Sequence, residues 1–70
     1  MKVFPNPAGD HLLIGLERGG RVSIFSALGT VVFQAELPQG SNRLDISHLP
    51  AGMYVIASHG SGHYSKFIKN

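Results

Sequence analysis

Seventy residues suffice for one domain, and a chain of this length buries only roughly 60 % of the surface its unfolded form exposes, so its margin of stability is thin. With 43% apolar and 14% charged residues the sequence is too hydrophobic for a disordered tail, while no run approaches the ~18 apolar residues that span a membrane. The absence of cysteine excludes a disulfide framework and a thiolate metal site, and six basic residues scattered from Lys2 to Lys69 do not make the basic stripe that nucleic acid requires.

The first residues, Met1 to Pro5, contain no apolar export-signal core. Pro5 and Pro7 fix their own φ and push Phe4 and Asn6 out of the helical region, so Phe4 to Pro7 should be extended or turning, with Asn6 and Asp10 bonding nearby backbone to close a turn where the domain begins. From Asp10 onward Leu12, Ile14 and Leu16 alternate with His11, Leu13 and Gly15, the period of a half-buried strand. Glu17-Arg18-Gly19-Gly20 reads as a polar hairpin connection to a strand over Arg21 to Ser26, with Val22 and Ile24 on one face.

Ser26-Ala27-Leu28-Gly29-Thr30 predicts a type I turn closed by a left-handed residue at Gly29. Val31, Phe33 and Ala35 then alternate with Val32, Gln34 and Glu36 as far as the break at Leu37-Pro38-Gln39-Gly40. In the next strand Leu44 and Ile46 face inward, Arg43, Asp45 and Ser47 outward, and Leu49 tucks beneath the turn at Pro50. Gly52 to Ser58 is the most continuous apolar strand and should be central, with Tyr54 and Ile56 on one side and Met53, Val55 and Ala57 on the other. His59-Gly60-Ser61-Gly62-His63 makes the last loop, leading into Tyr64 to Lys69.

These segments imply an all-β fold, a small immunoglobulin-like antiparallel sandwich of six or seven strands, in an order that the pattern leaves open. Leu13, Phe25, Val32, Val55 and Ile68 fall out of phase with the inward sets, so some apolar surface remains in water or meets a partner.

Catalytic and metal signals are weak. His59 and His63 have H-x3-H spacing, which gathers two ligands on a helix but not on a Gly-Ser-Gly loop, and His11 and His48 have no acidic or sulfur partner at ligand spacing. Ser61 lacks the strand-to-helix elbow that presents a nucleophile. Asp10 suits a turn cap and Asp45 an outward strand position, and a sandwich this small has little room for a catalytic cleft. No metal, cofactor or enzymatic activity is expected.

Three stretches carry more information when taken in order: Pro5-Asn6-Pro7 with Asp10, Leu12 and Ile14; Leu49-Pro50 with Gly52 and Tyr54; and the terminal Lys66-Phe67-Ile68-Lys69. A start of the form PNPxxDxLxI, a central LPxGxY and a basic-aromatic-aliphatic-basic end resemble the C-terminal sorting domain, type A, of type IX secretion cargo in Bacteroidetes-type bacteria, over essentially the whole chain. The resemblance implies a domain that carries a cargo through the periplasm to an outer-membrane translocon, followed by removal by a surface sortase that attaches the cargo to a lipopolysaccharide anchor. It implies recognition at Pro50, Gly52, Tyr54, Lys66, Phe67, Ile68 and Lys69, a secreted or cell-surface destination, and a domain-start motif at Pro5, Asn6, Pro7 and Asp10. Residues 1–70 are then expected to be one sorting domain excised from a longer secreted protein.

In physical terms Pro50 and Gly52 fix a turn, and Tyr54 anchors the strand behind it with its hydroxyl near the surface. Lys66 and Lys69 should face solvent and Phe67 the core, along a final edge strand open to strand addition by a partner. The competing function is an Ig-like carbohydrate- or protein-binding accessory module of a secreted enzyme, for which Phe25 and Tyr64 are the available exposed aromatics.

Overall fold

The alternating segments fold into seven strands and no helix in a computed structural model that describes all residues, Met1–Asn70. They are β1 (Lys2–Phe4), β2 (His11–Leu16), β3 (Gly20–Ser26), β4 (Val31–Leu37), β5 (Gly40–Asp45), β6 (Gly52–Ser58) and β7 (His63–Lys69). One sheet has the order β1-β2-β5 and the other β4-β3-β6-β7, with every strand pair antiparallel, as a small sandwich requires.

The inward sets meet between the sheets. Leu12, Ile14 and Leu16 of β2 and Leu44 of β5, with Ile46 just beyond, face Val22 and Ile24 of β3, Tyr54 and Ile56 of β6 and Phe67 of β7. Ala8 and Leu49 complete this cluster. Each fully buried aliphatic side chain contributes about 1.5–3 kcal/mol relative to exposure, which is how a chain of this size offsets its ordering entropy.

Two connections differ from the sequence expectation. Residues 17–19 do not form a hairpin: β2 and β3 lie in different sheets, and the segment crosses from one to the other. A second crossing, at Pro38 and Gln39, joins β4 to β5 and runs against the first, so that a Cβ on Gly19 would stand 3.1 Å from both the Leu37 carbonyl oxygen and the Gln39 nitrogen. Only glycine permits so close an approach of two backbones. The short N-terminal strand β1 was also not expected; it forms because Val3 pairs with Ile14 and packs on the core.

The β3–β4 hairpin turns as expected, with Gly29 at φ 88° and its N–H donating to the Ser26 carbonyl at 2.9 Å. A bulge follows, since Phe33 pairs with Ile24 but Val31 with Phe25, which leaves Val32 as the extra residue. The phase of β4 changes there. Val32 is drawn partly onto the core instead of remaining out of phase, and Val31 takes the exposed position.

Candidate functional site

The second half of β7 is flanked by both other motif segments. On one side it pairs with β6 in the register Gly52 to Lys69, Met53 to Ile68 and Tyr54 to Phe67. On the other side the Pro5–Ala8 segment lies along it and makes an isolated parallel bridge between Ala8 and Lys69. The domain-start motif and the terminal motif, sixty residues apart, are thus one structural unit.

Tyr54 organises the first of these contacts. Its ring is buried and stacks on that of Phe67 with centroids 5.5 Å apart and planes inclined by 21°. Its hydroxyl donates to the Pro50 carbonyl at 2.5 Å, which ties the turn to the strand it precedes, much as a tyrosine corner does in other sandwiches. Gly52 has φ 154° and begins the strand opposite Lys69.

Asn6 organises the second. Its side-chain oxygen accepts from the Ile68 N–H at 2.9 Å, and its amide nitrogen lies 3.5 Å from the Lys66 carbonyl oxygen. Ala8 continues the pairing through its backbone, donating to the Ile68 carbonyl at 2.6 Å and accepting from the Asn70 N–H at 2.9 Å. Asn6 therefore does not close a local turn as expected. The Asp10 side chain does not either; Asp10 acts through its carbonyl, which accepts from the Ile46 N–H at 2.8 Å.

Since both backbone groups of Ile68 point away from β6, the alternation of an antiparallel ladder places those of Tyr64 and Lys66 on the same outer rim. The strand is outermost in its sheet, yet the C-terminal half of this rim is closed. Asn6 and Ala8 occupy the Lys66 carbonyl and both groups of Ile68, leaving the Lys66 N–H and the two groups of Tyr64 open.

The terminal side chains divide by the two-residue period of the strand. Phe67 is buried completely, as expected, and Lys66 and the 41% exposed Ile68 lie on the outer face beside Val55 and Met53 of β6. Lys69 contradicts the expectation of exposure. It is only 7% exposed, and its ammonium donates to the Asn70 carbonyl at 2.9 Å. Two lysines three positions apart cannot share one face of a strand; Lys69 follows Phe67 inward at the end of β7, where a long apolar stem tolerates burial while the ammonium keeps a partner.

The remaining polar groups lie elsewhere. Ser23 accepts from the Gln34 amide and pairs with His59 Nε2, both at 2.8 Å, but its hydroxyl group is sealed from solvent beneath those side chains and no substrate can reach it. Ser61 donates to the Ser58 hydroxyl at 3.2 Å. No three histidine or acidic side chains stand close enough to share an ion. Asp45 accepts from the Ser47 hydroxyl at 2.7 Å and the Ser47 N–H at 2.9 Å, which holds its carboxyl below the usual range, with smaller help from His11 and His48.

Phe25 and Tyr64 share the outer face of the four-stranded sheet, but β6 lies between their strands and they sit in different rows, opposite Val55 and Ala57 respectively. They form no aromatic row of the kind a carbohydrate-binding module presents. Sequence reasoning identified the terminal residues but missed the partners that hold them. An asparagine between two prolines, which cannot donate to a ladder, signals that its side chain will bond something, though nothing local says what.

No curated protein and no solved structure matches the chain. The model of one family, the secretion system C-terminal sorting domain, matches residues 2–70, the span that holds all three motifs and the strands joining them. The chain belongs to that family, and it is a sorting signal for type IX secretion.

Proposed function

We propose that the type IX outer-membrane translocon reads the outer face of β7, with Lys66 and Ile68 as the contact residues. Pro50, Gly52, Tyr54, Phe67 and Lys69 are the frame that presents them. The observation that carries this reading is the exposure of Lys66 and Ile68 on either side of the buried Phe67, with Lys69 buried beyond them. Such a surface offers a cation set in an apolar strip, which a receptor can distinguish from the outside of an ordinary sandwich.

Residues 1–70 are then the terminal module of a longer exported protein, with Pro5, Asn6, Pro7 and Asp10 marking where the cargo ends. The route runs through the periplasm, and a surface sortase removes the domain and attaches the cargo to the cell surface. Apart from its signalling role no catalytic step is assigned to the domain.

A fusion of residues 1–70 behind a periplasmic reporter tests the reading in a host with a working type IX system. The wild-type fusion should reach the surface, and should stay inside a host lacking the translocon. Lys66→Glu combined with Ile68→Ser should keep the fold and lose export. Normal export of that doubly substituted fusion would overturn the assignment of the contact face.

A further inference from the structure

We propose that Asn6 is the positioning residue of the sorting strand: its side-chain amide, with the Ala8 backbone beside it, clips Lys66–Asn70 into register and closes the C-terminal half of the rim of β7. The inference deepens the sorting function and rests on it.

A side chain does the work of backbone at this place. In the parallel register set by the Ala8–Lys69 bridge, the residue opposite the Lys66 carbonyl and the Ile68 N–H is Asn6, and it meets both through its side-chain amide and not through its backbone. One asparagine amide carries both an acceptor and a donor, and here it spans the two consecutive outward groups that flank Phe67. Ala8, buried completely, completes the pairing with two further bonds, to Ile68 and from Asn70. Of these four contacts three are at or below 2.9 Å, and the bond to Lys66, at 3.5 Å, is the weak one.

The same segment decides how a partner can approach. A ladder added along the whole of β7 would have to displace Asn6 and Ala8, because only Tyr64 and the Lys66 N–H remain free on that rim. The clip does not create a new adhesive edge in turn, since the prolines on either side of Asn6 offer no donors to a further strand. A strand of fixed register with the C-terminal half of its rim closed is recognised there through its side chains, which keeps Lys66 and Ile68 presented together.

Amide hydrogen exchange and export of the reporter fusion, measured on wild type, Asn6→Ala and Asn6→Asp, test this. Asn6→Ala should speed exchange at Ile68 about five- to tenfold, the loss of one hydrogen bond, while the Ile56 amide in β6 keeps its wild-type rate, and surface delivery should fall. Asn6→Asp keeps the acceptor for the Ile68 N–H and should restore most of the protection and the delivery. Unchanged exchange at Ile68, or acceleration shared equally by Ile56, would overturn the clip. Selective acceleration at Ile68 with delivery at the wild-type level would overturn its positioning role while leaving the sorting function standing. Failure of the wild-type fusion to reach the surface would instead strike the sorting function, and the exchange rates would still decide the clip.

Discussion

Replacing Phe67 with alanine removes the largest fully buried side chain in the molecule. Such a truncation costs about 3–5 kcal/mol when the surroundings relax little. The site has limited means of relaxing, because Tyr54, stacked on Phe67, is itself held by its bond to Pro50. Loss of that stacking is worth about 0.5–1.5 kcal/mol beyond the area buried. A domain of this length has a total stability of only about 3.5–10 kcal/mol. A loss near 3 kcal/mol, at roughly 4–8 °C per kcal/mol, lowers the melting temperature by roughly 12–24 °C. Phe67→Leu keeps most of the volume and should cost under about 1.5 kcal/mol. Far-ultraviolet circular dichroism on heating and in urea would measure both. An alanine variant melting within about 4 °C of wild type, equivalent to under 1 kcal/mol, would refute the reasoning.

The two terminal lysines should separate cleanly. Lys66→Glu changes an exposed side chain and should alter stability by no more than about 0.5 kcal/mol, whereas Lys69→Glu places a carboxylate against the Asn70 carbonyl in a nearly closed site and should cost about 2 kcal/mol; equal melts for the two variants would contradict the burial of Lys69. Tyr54→Phe should cost about 1 kcal/mol through the lost bond to Pro50, and an unchanged urea midpoint would show that this bond does not secure the turn. Asp45, whose carboxyl titrates below its unfolded value, contributes stability above the ordinary carboxylate range and loses it as pH falls through the lowered value. The stability gap between wild type and Asp45→Asn should therefore narrow in acid, and a gap independent of pH would count against the Ser47 bonds as its cause.

Local pattern carried most of the strands. Leu12, Ile14, Val22, Ile24, Leu44, Tyr54 and Ile56 all face inward where a two-residue period puts them, and the left-handed Gly29 lies at the turn its neighbours demand. What local pattern could not supply was partnership. Residues 17–19 have the composition of a hairpin loop but cross between sheets, since which sheet a strand joins depends on the whole core. The bulge at Val32 exposes Val31 and turns Val32 partly onto the core, with no glycine in the strand to announce it. The two-residue period alone puts Lys69 on the side of Phe67; its charge argues for exposure, but at a strand end a long stem satisfies both. Asn6 has the local signature of a turn residue, and its true partners are sixty positions away.

The parallel direction of the Ala8 bridge bears on how the domain carries load. A pull transmitted through the N-terminal side and opposed at the C-terminus draws residues 6–8 and β7 past one another along their length. The bonds from Asn6 and Ala8 then bear that load together, in shear. The antiparallel β6–β7 ladder, pulled by the C-terminus alone, opens one pair at a time from Gly52 and Lys69. Tension between the two ends thus meets its stiffest resistance at a few short bonds beside the terminal strand, and stretching single molecules with and without the Asn6 side chain would register the difference as a drop in unfolding force.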